Sequence, residues 1–466
     1  MQPRACDQCY TLKKQCLTTT TSTACLRCKK TSLSCTNTRR QSRGGRPPKA
    51  RRGLPVAAKE SVEVWDLTTF SEGSSNLDLH DVDNFYLYHD IYLLGSTFAP
   101  AFHRALLYCH RNSSHLLDDI MTACGTSLSW ARFGTVPLDQ VDMHSGAISV
   151  QKLRSARITN VHDALTVLML GQALAAFDTL VDCTSTMSIL RYALGMVRPW
   201  YSELLELESG VLEPLLIVPV FWDIIWCLLY RESSAIEPGL LEVITRNRVV
   251  DRVVGVCTEL IPVLYELCAV SRELAIADET RSSSSRSQWD IGRHFQSLST
   301  IEQRVQDWDP MSSADLSAYT SIEILSIRTQ ASMYRSATLL IIHRLRLHHD
   351  QDRSPEQNHR TAQTLATEIL TTRYHFFTLA GPCAKLQNTS FPLLLALLEI
   401  PTATDRMWES STWLRHKPMC VERLFGFVDE FWRRKREESF EGDVFEAVQW
   451  ELTDVDGRER RLVPLI

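Results

Sequence analysis

Along most of the chain, apolar residues recur every three to four positions rather than every second one. From about residue 84 to 436 this spacing predicts helices throughout, with little β signal. The clearest cases are Asp163 to Leu180, Val250 to Ala275, Ser321 to Leu347 and Thr361 to Leu379. In the third, Tyr334, Ala337, Ile341 and Leu345 share one face, which predicts a buried stripe serving the core and not a cofactor. The segments around Ser282 to Ser287 and His348 to His359 are polar and read as surface loops; the histidines of the second belong to a solvated turn. The longest apolar stretches, Ala164 to Phe177 and Leu215 to Tyr230, are expected to fall short of the roughly 18 residues that cross a bilayer. Pro219 and Asp223 interrupt the second. The fold class expected for 84–436 is therefore a large all-α domain, a helical bundle or solenoid-like array.

Composition adds a size and a class. With 466 residues, 44% of them hydrophobic and 23% charged, the chain has ordinary globular usage and room for two or three domains. A wholly disordered, collagenous or membrane-embedded protein is excluded. Charge changes the picture more. The first 53 residues hold thirteen Lys and Arg against Asp7 alone, a charge of +12, whereas the whole chain carries −5 and the remainder therefore −17. One end is built to meet a polyanion and the rest is not.

The same end concentrates sulfur. Six of the fourteen cysteines lie within 35 residues: Cys6, Cys9, Cys16, Cys25, Cys28 and Cys35. The later eight mostly sit in apolar runs, where a thiol acts as a small hydrophobe. The opening Met1-Gln2-Pro3-Arg4-Ala5 has no apolar core of a secretory signal, so a reduced, soluble protein is expected rather than a disulfide framework. The six form two similar halves, each a CxxC pair followed by a third cysteine after six residues. A CxxC pair grips one tetrahedral ion, and three sulfurs leave that ion one ligand short. Two Zn2+ ions sharing two bridging thiolates would each reach four ligands; a structural zinc or redox role without DNA is the other reading of the same residues.

Ala5-Cys6-Asp7-Gln8-Cys9, Lys13 four places after the second cysteine, and the spacing of all six cysteines resemble the fungal zinc binuclear cluster (Zn2Cys6) transcription factors. The resemblance implies that Cys6 and Cys25 bridge, that Cys9 and Cys16 complete one site, and that Cys28 and Cys35 complete the other. It also implies a short helix in each half, the first presenting its C-terminal end to the DNA major groove and reading CGG-type triplets. Lys13 is the expected base contact, with Lys14 beside it and Lys29 and Lys30 on phosphates. Tyr10, Leu12 and Gln15 depart from the pattern, standing where that family often has basic residues.

Residues 36–53 are rich in basic residues and lack apolar periodicity, as expected for an extended linker stiffened by Pro47 and Pro48. Arg43, Arg46 and Lys49 around Gly45-Arg46-Pro47 resemble the core of an AT-hook, which lies in the A·T minor groove. The same run serves as a nuclear localisation signal or a charged spacer in two further readings. Leu54 to Phe85 shows no sustained heptad repeat, which argues against a zipper dimer there, and reads as an acidic linker, with an acidic activation segment as the other reading. The helical body is weakly similar to the regulatory domain of fungal regulators, through Ser188 to Trp200, Tyr334 to Leu345 and the region from Phe391 to Arg434. After Arg436 the chain is acidic again, and Phe440, Val444, Phe445, Val448, Trp450 and Leu452 suit either an activation surface or a final packed helix and tail.

The expected organisation is a zinc binuclear cluster DNA-binding domain at 1–36, a basic then acidic linker at 37–83, an all-α regulatory domain at 84–436 and an acidic C-terminal tail at 437–466. No P-loop, HExxH, GxSxG or dinucleotide-binding signature occurs, so no enzyme is expected. The function expected is a nuclear regulator of RNA polymerase II genes, in the manner of pathway-specific activators of fungal secondary-metabolite gene clusters. Its partners would be double-stranded DNA and the transcription machinery or co-activators, with a homodimer and a small-molecule effector open and no membrane. A zinc-containing interaction module or non-specific DNA binder without base readout is the alternative.

Overall fold

Helix starts in this chain are set by prolines and by short polar side chains ahead of apolar runs, and the computed structural model follows them closely. It describes residues 25–30, 35, 93–131, 138–204, 206–207, 209–246, 250–280, 287–310, 315–347, 355–381, 384, 386–401, 418–437, 444–447, 451–453 and 459–461. Two compact units are distinguished, Met1–Ser74 and Ser75–Ile466. Within the first, the described helix is α1 (Leu26–Lys30).

Among its described residues the second unit is helical apart from one small ribbon and an isolated bridge. Its helices are α2 (Ala99–Ala131), α3 (Met143–Ser155), α4 (Val161–Val181), α5 (Thr186–Val197), α6 (Tyr201–Leu204), α7 (Ser209–Tyr230) and α8 (Pro238–Arg246). There follow α9 (Ile261–Thr280), α10 (Ser287–Asp307), α11 (Ser321–Leu347), α12 (Pro355–Ala380), α13 (Ser390–Glu399), α14 (Pro418–Glu437) and α15 (Val444–Ala447). Strands β1 (Glu451–Thr453) and β2 (Glu459–Arg461) pair antiparallel, with Leu452 opposite Arg460. The side chains of Asp142 and Asn160 accept from the backbone N–H of Ser145 (2.9 Å) and Asp163 (3.0 Å), capping α3 and α4. Pro238, Pro355 and Pro418 open α8, α12 and α14, where a missing N–H costs nothing.

Periodicity located these helices better than it located their ends. Ser321–Leu347 is helical as expected, and Tyr334, Ala337, Ile341 and Leu345 are all buried. The stretch Val250 to Ala275 is not one helix. Asp251 and Gly255 form an isolated antiparallel bridge, Gly255 has φ 58°, and the α-helix begins only at Ile261. At the other site Pro355 starts a helix inside the segment expected to be loop up to His359.

Neighbouring helices pack in chain order: α4 lies against α2, α3, α5 and α7, then α9 through α13 each contact the next, and α14 returns to touch both α13 and α4. Ser113, with φ −153° and ψ 54°, kinks α2, and its hydroxyl donates to Asp163 Oδ1 at 3.2 Å. Val444 and Phe445 of α15 are buried, and the Arg231 guanidinium lies 5.5 Å from the Phe445 ring centroid. Those two residues therefore belong to the core and not to an activation surface.

The helix α4 and the segment Leu212–Tyr230 of α7 are long and apolar enough to cross a membrane by length and composition, which corrects the expectation that neither would be. Their most apolar windows are 89% and 83% buried inside the fold, as core helices are. Pro219 does not end α7; the helix continues through it. A proline cannot donate to the carbonyl four residues back, here Leu215. Gln172 of α4 fills that role, its Nε2 donating to the Leu215 carbonyl oxygen at 2.6 Å. Arg252 completes the clamp: its Nη2 donates to Gln172 Oε1 (2.6 Å) and its Nε and Nη2 donate to the Pro214 carbonyl oxygen (3.2 and 3.0 Å). The guanidinium lies 4.2 Å from the Phe102 ring centroid of α2. Burial lowers the Arg252 pKa to about 10, against the opposing pull of Asp251, so the side chain stays charged at neutral pH.

Two further polar groups join distant parts of this core. Asp223 of α7 is fully buried, paired with Arg191 Nε of α5 (2.9 Å), and accepts from Ser234 Oγ (2.6 Å) and the Ala235 N–H (2.9 Å). Glu323 sits at the third position of α11 and closes a capping box, its Oε2 accepting from the Thr320 N–H and Oγ1, both at 2.8 Å. Thr97 adds bonds from its N–H (2.9 Å) and Oγ1 (2.8 Å), fastening the segment before α2 to the start of α11. Gly95 lets the carboxylate approach, since a Cβ there would stand 2.0 Å from Glu323 Oε1.

Gln172→Ala should cost about 1–3 kcal/mol by leaving the Leu215 carbonyl without its donor. In a Pro219→Ala background, where the backbone N–H is restored, the same change should cost clearly less. Denaturant unfolding of the four proteins checks this, and equal costs in the two backgrounds would show that Gln172 does not serve the proline kink.

Burial raises the Glu323 pKa, but the four hydrogen bonds from Thr97 and Thr320 outweigh it and hold the group below its ordinary 4.5. Its stabilisation is therefore complete above that value and is lost as pH falls through the lower, folded pKa. Glu323→Gln should flatten the acid limb of a Tm-against-pH curve below about pH 4.5 relative to wild type. An unchanged acid limb would contradict this role.

Candidate metal centre

Cys25 stands immediately before α1, and Cys28 lies three residues on, one helical turn away. This spacing is what brings a CxxC pair together. The Lys29 N–H donates to the Cys25 carbonyl oxygen at 3.0 Å, closing the turn, while the Cys28 N–H donates to Cys25 Sγ at 3.4 Å. Cys25 thus caps α1 with sulfur, in the place where serine or aspartate caps with oxygen. The Cys25 N–H donates in turn to Cys35 Sγ at 3.3 Å, drawing the third cysteine in from outside the helix.

The three Sγ atoms lie within 4.8 Å of one another. Sulfurs around a tetrahedral zinc, at Zn–S distances near 2.3 Å, are separated by about 3.8 Å, so this group needs only slight contraction to hold an ion. Cys25 and Cys28 are buried and Cys35 is half-buried. Two backbone N–H groups aimed at sulfur stabilise negative charge there, as a metal-bound thiolate requires. The donor set fits a soft or borderline divalent ion, and three ligands leave its fourth position to be supplied.

Of the residues expected to act on DNA, Lys29 and Lys30 end α1 and are exposed. They stand on the helix that follows Cys25 and carries Cys28. Cys6, Cys9, Cys16, Lys13, Lys14, Arg43, Arg46 and Lys49 lie outside the described residues. The N–H···S bonds escaped sequence reading, because they depend on the turn of α1 and not on residue spacing alone.

The remaining described cysteines behave differently. Cys109, Cys124, Cys227, Cys257 and Cys268 are buried thiols, as expected. Burial pushes the Cys109 pKa up to about 12, against the Thr166 hydroxyl, which removes it as a nucleophile or ligand at neutral pH. Cys183 is an exception to the expectation of reduced cysteines, being disulfide-bonded. It follows the C-terminus of α4 with φ 55°, beside Asp182, which pairs with Arg423 of α14 at 3.0 Å.

A comparison with curated proteins finds no match, and neither does a comparison with solved structures. A family model described as the fungal specific transcription factor domain matches residues 146–454. That span covers more than half of the chain and takes in α4 to α14 with their shared core. On this match and on its large all-α fold, the chain belongs to the fungal-specific transcription factor domain family and is a transcription regulator.

Proposed function

We propose that this protein is a nuclear, sequence-specific regulator of RNA polymerase II genes that binds double-stranded DNA through a zinc binuclear cluster at 1–36. The observation that carries the reading is the thiol group of Cys25, Cys28 and Cys35, one half of a six-cysteine pattern, in a chain of this family. Cys6, Cys9 and Cys16 repeat the spacing of that half, so six sulfurs would hold two Zn2+ ions, with Cys6 and Cys25 as bridges. The ions would neutralise thiolate charge and supply most of the folding free energy of a module with almost no apolar core. A strongly basic N-terminal segment beside a cluster of formal charge −2 leaves the module well suited to phosphates.

Lys13, at the end of the first cluster helix, would read guanine O6 and N7, with Lys14, Lys29 and Lys30 on the backbone. Arg43, Arg46 and Lys49 would follow the minor groove or adjoining phosphates. The acidic body would recruit the transcription machinery or co-activators, and a homodimer would bind paired half-sites. The compact size and the Gly45-Arg46-Pro47 linker favour a pathway-specific activator of a secondary-metabolite gene cluster. The absence of enzyme signatures agrees with a regulator that acts by binding alone.

Selection of bound duplexes from a random pool, with zinc-loaded full-length protein at near-physiological salt, should enrich CGG-type triplets. Lys13→Ala should keep the zinc content and cost about 1–3 kcal/mol in discrimination. No enrichment despite stoichiometric zinc would favour a module that binds DNA without base readout, consistent with Tyr10 and Leu12. Deleting the gene should silence a contiguous set of biosynthetic genes, and scattered changes would remove the gene-cluster role while leaving DNA binding intact.

A further inference from the structure

Helix α13 is almost wholly buried from Phe391 to Glu399, yet its N-terminus has no side-chain cap. Thr389 occupies the capping position, but Pro392 stands three residues on and has no N–H for it to accept from. The Thr389 hydroxyl is buried without a hydrogen-bond partner, at 2% exposure. So is the amide nitrogen of the preceding Asn388, a residue held in the left-handed region at φ 52°. Buried polar groups are nearly always paired, and strained backbone gathers where a structure is built to bind.

The part of α11 that touches this turn repeats the pattern. Gln330 and Tyr334, one turn apart on α11, are both fully buried. The Gln330 Nε2 donates to the carbonyl oxygens of Val253 (2.8 Å) and Gln387 (3.1 Å), which fixes the amide orientation and leaves Oε1 without a donor. The Tyr334 hydroxyl reaches Asn388 Oδ1 only at 3.4 Å, and burial keeps it protonated, with its pKa well above the ordinary value. Its ring stacks with Phe391 (6.0 Å between centroids) and meets Phe221 edge-on (5.2 Å). Asn388 and Ser390 are half-buried, so the turn approaches the surface there.

We propose that the turn Gln387–Ser390, with Gln330 and Tyr334, binds a small neutral carbonyl compound that also carries an N–H or O–H, such as an amide, lactam or hydroxyketone. Its carbonyl oxygen accepts from Asn388 Nδ2 and Thr389 Oγ1 at the positive end of α13, and its N–H or O–H donates to Gln330 Oε1. The stacked pair Tyr334 and Phe391 borders its apolar part. None of these groups is charged, and an ion brought into such a place would lose its hydration for no compensating charge, so a carboxylate fits poorly. The site names the class of effector for the proposed regulator. It is read without DNA, so its failure leaves the DNA-binding reading standing.

The test is thermal unfolding of the full-length zinc-loaded protein titrated with 2-pyrrolidinone, with acetate as the charged control. The wild type should show a saturable rise in Tm with 2-pyrrolidinone and none with acetate. Without ligand, Thr389→Val should not lower Tm, because its hydroxyl has no bond to lose, but its apparent affinity for 2-pyrrolidinone should fall at least about tenfold. Asn388→Gly, which tolerates the positive φ, should weaken the response in the same way. The proposal is overturned by a wild type without a saturable shift, by variants that respond like wild type, or by a ligand-free Thr389→Val protein that is less stable.

Discussion

Pro219 removes a hydrogen-bond donor from α7, a helix largely enclosed by its neighbours, and the arrangement of three other elements follows from supplying it again. The Leu215 carbonyl cannot face an apolar core without a partner. Gln172, near the middle of α4 with apolar residues on either side, sits where it can donate to that oxygen. Once its Nε2 is committed, its Oε1 needs a donor in turn, and Arg252 provides one. A buried guanidinium is tolerable only with most of its N–H groups engaged, which the Pro214 carbonyl and the Phe102 ring accomplish. The Asp251–Gly255 turn before α9 carries Arg252 and presents it to α4 and α7.

The same logic explains why the regulatory domain is one body and not a string of helix pairs. Apolar burial in α4, α7 and α13 is generous but non-directional, and would tolerate sliding of one helix past another. Direction comes from the few buried polar groups: Gln172 and Arg252 at the kink, Asp223 with Arg191 between α7 and α5, and Glu323 with Thr97 between the first and middle parts. Each joins residues tens or hundreds of positions apart. Each would leave an uncompensated group behind if its partner moved, so register is enforced by the cost of the wrong arrangement.

How much of this was legible in the sequence divides along physical lines. Helices driven by local periodicity were read well, as with Ser321–Leu347, because a single face decides them. Pro219 is misread because its outcome rests on a partner far away in the chain, Gln172, which serves the carbonyl that the proline leaves; Val250 to Ala275 is misread because Asp251, whose Oδ1 accepts from the Val253 and Val254 N–H groups, and Gly255 at φ 58° turn the chain where the apolar pattern invites a helix. In the cysteine cluster the ligand types and the CxxC turn were visible, since both depend on spacing of a few residues. The N–H···S bonds and the disulfide at Cys183 were not, as each is fixed by where backbone or sulfur ends up in space.

The contrast between the two kinds of cysteine carries this one step further. Thiols such as Cys109 and Cys124 are enclosed by apolar side chains, which opposes the thiolate and leaves them inert. Cys25, Cys28 and Cys35 are set instead on a turn whose N–H groups point at sulfur, the environment that a bound cation needs. The chain therefore spends sulfur in two ways, with the surrounding donors and not the residue type deciding the chemistry. The buried polar atoms follow an equivalent rule: the donors and acceptors around Gln172 close on one another, whereas those of Gln330, Asn388 and Thr389 do not. Gln330 holds the Gln387 carbonyl at the start of the same turn that carries Asn388 and Thr389, and it is this turn that we propose is completed from outside the chain.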